Sequence, residues 1–201
     1  MAKQLKDKVI LGIDPGTNVM GYGVIHITGN VAKLIAMGVI DLRREGDIYL
    51  RLGKIFQRVT GIIDSFLPDE MAIESPFFGK NVQSMLKLGR AQGVAMAAAI
   101  NHGIPITEYA PLKIKMAITG RGSSSKEQVA LMLQKLLSIS EKDMPQFLDA
   151  TDALGAAYCH YLQLVSPIPN RATDTTTVKC KNKKSSSWKE FIAKNSDRVT
   201  E

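Results

Sequence analysis

The stretch Val9-Ile10-Leu11-Gly12-Ile13-Asp14-Pro15-Gly16-Thr17 constrains the fold more than any other part of the chain. A β-branched apolar run ends in one carboxylate, and a Pro-Gly turn follows at once. The run is too short for a typical helix and is cut off by a turn signal, so it predicts a buried strand. Asp14 then stands half-buried at the tip of that strand. A lone carboxylate withdrawn from water is costly unless something positive pairs with it.

The pattern downstream extends the sheet. Met20–Ile27 reads as a second strand, reached by a short loop and therefore antiparallel. After the Thr28-Gly29-Asn30 turn, Val31–Leu42 reads as a third. The period then changes. Ile48, Leu52, Ile55, Val59, Ile62 and Phe66 recur by fours and threes, which predicts an amphipathic helix over 47–66, closed by Pro68. Met71-Ala72-Ile73-Glu74 repeats the design of the first strand: apolar inside, an acid at the tip, a proline soon after. Strand, helix and strand with both acids at carboxyl ends form a crossover unit, and open α/β sheets carry their sites at such ends.

Beyond the Phe77–Asn81 loop, 82–101 reads as a helix rich in small residues, which lets the sheet or a second subunit approach closely. Ile104–Tyr109 reads as a fifth strand, with Pro105 marking an edge or a strand start. Pro111 opens a helix at a favoured first position. Ser124-Ser125-Lys126-Glu127 reads as a capping box for the next helix. A last core helix starts near Asp149. No internal repeat is present.

Four carboxylates stand out by position. Asp14 and Glu74 end strands, while Asp149 and Asp152 are three apart at a helix start and so share a face. Singly, each has an ordinary explanation: a turn former, a surface acid, a helix cap, a first-turn acid. Jointly, within one α/β domain, they point to a site. Such a cluster needs cations, and oxygen-only ligands select hard ions, Mg²⁺ or Mn²⁺ over zinc. Two such ions clamp the attacking and leaving oxygens of a phosphodiester. His160 lies about 16 Å along the helix axis from Asp149, too far to share a metal. It reads as structural, and Cys159 reads as a small buried side chain.

Charge fits an anionic substrate. The 201 residues carry a formal net charge of +7. Residues 166–201 hold eight Lys/Arg against four Asp/Glu and are rich in Pro, Thr, Asn and Ser. They read as a disordered basic tail after a domain over 1–165, with Trp188, Phe191 and Ile192 suited to a short docking helix. No signal-peptide core and no run of membrane-spanning length occur, so a cytoplasmic protein without a membrane partner is expected.

Leu11–Gly16, Gly21-Tyr22-Gly23, Ala72-Ile73-Glu74, Lys87–Gly93 and Asp149–Leu154 together resemble the RuvC Holliday junction resolvases, in correct order from about Val9 to His160. The resemblance implies an α/β ribonuclease H-like fold, a mixed five-stranded sheet flanked by helices. It also implies a homodimer that works with a branch-migration motor. The implied activity is Mg²⁺-dependent endonuclease cleavage, with paired symmetric nicks in four-way DNA junctions, two ions per subunit and Mn²⁺ able to substitute.

By position, Asp14, Glu74, Asp149 and Asp152 match the family's catalytic, metal-binding set. Phe77 matches the aromatic that stacks on a junction base, with Phe78 an equal rival by chemistry. Lys115 and Lys126 match basic residues near the scissile phosphate. Lys126 has independent support, since a cation in the first turn of a helix opposes the dipole and is better explained by a nearby anion. Lys80 and Arg121 complete the candidate DNA contacts.

Three rivals remain. A sugar-kinase-like ATPase would need a second glycine-rich phosphate loop, which is missing. A non-catalytic junction-binding protein would have no need of four acids. A ribonuclease H-like nuclease acting on another nucleic acid is the hardest to separate.

Overall fold

The computed structural model describes residues 6–76, 81–145 and 147–165. Phe77, Phe78, Lys80 and the basic tail from 166 onward lie outside the described residues. Strands β1 (Lys8–Asp14), β2 (Val19–Thr28) and β3 (Val31–Asp41) form the expected antiparallel meander. Helix α1 (Ile48–Phe66) crosses over to β4 (Glu70–Glu74), which pairs parallel with β1. Helix α2 (Val82–Asn101) leads to β5 (Ile106–Tyr109), parallel to β4 and at the sheet's edge. The strand order is β3-β2-β1-β4-β5. Helices α3 (Pro111–Thr119), α4 (Lys126–Leu136) and α5 (Leu148–Val165) complete the domain.

The sheet is buried on both faces, which is why its central strands are nearly continuous apolar runs. One face packs Leu11, Ile13 and Ile73 against Ile55, Val59 and Ile62 of α1 and Ala91, Ala95 and Ala98 of α2. The other packs Ile10, Ile25 and Ala72 against Ile114 of α3, Leu133 of α4 and Leu154 and Ala157 of α5. Asp47 caps α1 by accepting from the N–H groups of Tyr49 and Leu50.

Two details differ from the sequence reading. The capping box of α4 is Ser125 with Gln128 rather than Ser124 with Glu127. The buried Ser124 hydroxyl is engaged by Thr119 Oγ1 at 2.8 Å, which leaves the next serine to cap. Strand β5 starts two residues later than expected, because the Ile104 N–H still bonds Ala99 O at the end of α2. Asp149 sits inside the first turn of α5, so the helix starts where the sequence places it.

Candidate active site

Backbone pairing brings the first two acids together. Ile13 pairs with Ile73 across parallel strands, so Asp14 and Glu74 are side by side at the two carboxyl ends, on strands about 4.8 Å apart. Glycines bring the second pair. A Cβ on Gly21 would fall 1.9 Å from Asp149 O, one on Gly12 2.1 Å from Ala153 O, and one on Gly23 2.7 Å from Leu154 Cα. Side chains at these positions would force α5 off the sheet. Their absence seats the backbone of α5 directly on β1 and β2, with Asp149 and Asp152 beside the strand tips. The family motif contains these glycines, but their packing role was not read from sequence. Glycines inside a strand were the available signal for close backbone approach.

The electrostatics confirm that the acids share a neighbourhood. Burial, then the charges of Glu74, Asp152 and Asp149, push Asp14 up to about 8 against the opposing pull of Lys126. Burial and Asp152 push Glu74 up to about 7, opposed by Lys126 and Lys115. Burial also raises Asp152, opposed by its hydrogen bond and ion pair with the Lys126 ammonium. Burial works to lower Lys126, but Asp152, Asp14 and Asp149 outweigh it and hold the ammonium above its ordinary value. The positive partner that Asp14 requires is therefore partly Lys126, placed in the first turn of α4 as the sequence suggested.

Two cations, Lys126 and Lys115, against four carboxylates still leave excess negative charge, and every acid donor is an oxygen. This set fits a hard divalent ion. Among the described residues, no three of the Asp, Glu, His or Cys side chains stand close enough to hold an ion as they are. The acids are neighbours, and Asp152 is turned to Lys126. Lys115 lies near enough for its charge to act on Glu74 and Asp152. Arg121 is not brought to the acids. It lines a separate hollow with Gln128, Leu131 and Lys135. His160 is buried and hydrogen-bonded, as a structural histidine would be, and Cys159 is fully buried.

A hollow of about 500 Å³ opens beside the loop that follows Asp14, lined by Thr17, Asn18, Arg51, Ser84 and Lys87 among others. Arg51 braces that loop, donating to Thr17 O at 3.0 Å and Asn18 Oδ1 at 2.7 Å. Sequence reasoning gave neither Arg51 nor Lys87 a role. No helix among the described residues is long and apolar enough to cross a membrane.

A mixed sheet in this order, with acids at adjacent strand tips and on the helix packed across them, defines a nuclease of the ribonuclease H-like class. Residues 10–160 match the family model of crossover junction endodeoxyribonuclease RuvC. The RuvC of Bacteroides fragilis is 61% identical, covering 99% of this chain and 100% of that protein. The RuvC of Porphyromonas gingivalis is 57% identical, covering 96% and 98%. Thermus thermophilus RuvC, solved in complex with a Holliday junction substrate, superposes with a TM-score of 0.72 at 33% identity, covering 78% of this chain and 94% of that one. The chain belongs to the RuvC family of crossover junction endodeoxyribonucleases. Nucleases of this family depend on a divalent metal.

Proposed function

We propose that Asp14, Glu74, Asp149 and Asp152 hold the divalent cations with which this resolvase makes paired symmetric nicks in four-way DNA junctions, in recombination and repair. The ions are Mg²⁺, two per subunit, with Mn²⁺ able to substitute. The observation that carries this reading is the placement of Asp14 and Glu74 at adjacent strand tips beside Asp152, where burial and neighbouring carboxylates raise both. Charged carboxylates crowded this way are stabilised by a bound divalent cation.

When bound, such ions supply Lewis-acid polarisation of the phosphate and lower the pKa of water. The chain's own residues do the rest. The strand tips and α5 carry the carboxylates on rigid elements, and Asp152 turns from Lys126 to complete the set. Lys126 and Lys115 place positive charge beside the acids, where negative charge develops on a cleaved phosphodiester. Arg51 and Lys87 line a groove beside the Asp14 loop that suits a sugar–phosphate backbone. Phe77, or its neighbour Phe78, stacks on an exposed base, and Lys80 and Arg121 add phosphate contacts.

Residues 1–165 form the nuclease domain, and 166–201 add sequence-independent affinity for polyanions. The outward face of α2 supports a homodimer. Leu86 and Ile100 are 53% and 67% exposed, and between them Gly89, Gly93 and Ala97 also face outward. A Cβ at Gly89 or Gly93 would meet nothing within the subunit, so these glycines serve a close approach by something else. A branch-migration motor is the further partner, and the cytoplasm the place of action.

A cleavage comparison tests this function. Four-way junction, plain duplex and RNA–DNA hybrid are offered to the protein with and without Mg²⁺. Symmetric, Mg²⁺-dependent nicks in the junction alone are expected. Preferential cutting of the hybrid would move the protein to another ribonuclease H-like activity, and binding without cutting would make it a junction-binding protein.

A further inference from the structure

Helix α5 meets the sheet largely through small side chains, with Leu154 over Gly23 the larger exception. Ala150, Ala153, Ala156 and Ala157 are fully buried, and Gly12 and Gly23 receive the helix backbone. Small, featureless surfaces resist separation but offer few interlocking side chains to stop a helix sliding along its axis. Sliding would matter here, because α5 carries Asp149 and Asp152 while β4 carries Glu74.

One imidazole opposes that slide. His160 Nε2 lies 2.6 Å from Glu70 Oε2, and Nδ1 lies 2.7 Å from Tyr109 Oη. The His160 ring packs edge-on to that of Tyr109, with centroids 5.8 Å apart. Glu70 opens the strand that Glu74 closes. Burial opposes ionisation of Glu70, but hydrogen bonds from Lys8 and His160 win and hold its carboxyl below the usual range. Tyr109 closes β5, and its carbonyl accepts from the Ser75 N–H at 2.9 Å, fixing the residue next to Glu74. The Tyr161 hydroxyl also ties α5 down, but to Asn30, at the β2–β3 turn. His160 itself is about 12 Å along the helix from Asp152, so it acts on the acids only through the helix.

We propose that the Glu70–His160–Tyr109 bridge is a positioning device for the nuclease centre, locking α5 against β4 and β5 so that Asp149 and Asp152 stay in register with Glu74 and Asp14 for divalent-cation binding. The inference rests on reading the four acids as the cation site. The bridge residues are positioning residues and touch neither cation nor substrate.

Mn²⁺ binding to the full chain, followed by the paramagnetic resonance of free Mn²⁺, tests it alongside junction nicking. Tyr109→Phe deletes one oxygen and Glu70→Gln one charge, and both keep the side chain's shape. Each should weaken Mn²⁺ binding by about fivefold, the lower end of coupling between linked sites, and raise the Mn²⁺ needed for half-maximal nicking in proportion. Val129→Ala, in the core on the same face of the sheet, should lower the melting temperature and leave Mn²⁺ affinity unchanged. Unchanged Mn²⁺ affinity in the bridge variants overturns the proposal, and so does an equal loss in Val129→Ala. If the unaltered chain takes up no Mn²⁺, the cation-site reading fails and the bridge proposal with it.

Discussion

Gly21 lies directly against the backbone carbonyl of Asp149, with no room for even a methyl group between β2 and α5. The first helical turn of the acidic pair is thus seated on the strand that pairs with Asp14, since Gly21 is the residue opposite Asp14 in the antiparallel ladder. Gly21→Ala must push α5 outward. The expected result is a loss of about 3 kcal/mol of stability by overpacking, together with nicking reduced well beyond what the melting point explains. Thermal melts and junction nicking at a temperature well below the midpoint separate the two effects.

Asp14 and Glu74 make the stability of the metal-free chain depend on pH. Both have folded values above their ordinary ones, about 8 and about 7. Groups raised in this way contribute stability that is full below their unfolded values and is lost as pH rises through the folded ones. In chelator, the melting temperature should therefore fall between about pH 5 and pH 8. Asp14→Asn removes much of the effect and should raise the midpoint at pH 8 by about 5 °C, equivalent to about 2 kcal/mol for a chain of this size. Added Mg²⁺ should stabilise the unaltered chain at pH 8 and do less for Asp14→Asn. A flat pH profile in chelator would contradict the crowded-carboxylate description.

Lys126 is the cation closest to the acids and pairs with Asp152. Lys126→Gln should deepen the loss of stability at pH 8 in chelator, because it removes charge that opposes the elevation of Asp14 and Glu74. Junction nicking should fall by about 100-fold, on the scale of removing one stabilising group from a charged transition state. Melts at pH 5 and pH 8 and single-turnover nicking rates check both parts.

The outward face of α2 gives an opposite pair of effects in one variant. A Cβ at Gly93 meets no atom within 4 Å in the subunit, and Gly93→Leu replaces a poor helix former, so the monomer's helix should gain about 0.5–1 kcal/mol. A bulky side chain on a close-approach surface should also disrupt the proposed homodimer. Sedimentation is expected to show a dimer for the unaltered chain and a monomer for Gly93→Leu at the same concentration. An unchanged dimer would place the subunit contact elsewhere.

Much of this was legible in the chain itself, because local chemistry and tertiary context agree. The strand ending in Asp14 and the one ending in Glu74 are apolar runs cut by turn signals, and burial on both faces requires that composition. The period of α1 follows from its single buried stripe. The capping box slipped by one residue, since two adjacent serines are equivalent in sequence and only the Thr119 contact distinguishes them. The seating of α5 on Gly12, Gly21 and Gly23 was not read, because a glycine reports that something comes close without saying what. The His160 bridge was equally hidden. Its partners, Glu70 and Tyr109, are 90 and 51 residues away, and no spacing rule reaches that far.

In the proposed function, the four acids serve chemistry and the affinity for junction DNA resides elsewhere. Asp14→Asn, assayed on a synthetic four-way junction for both binding and Mg²⁺-dependent nicking, tests it most directly. Cutting should be abolished and binding left near its original strength, since Lys and Arg contacts to phosphate dominate affinity. Retained cutting, or binding lost along with it in a protein that still melts cooperatively, would contradict the account.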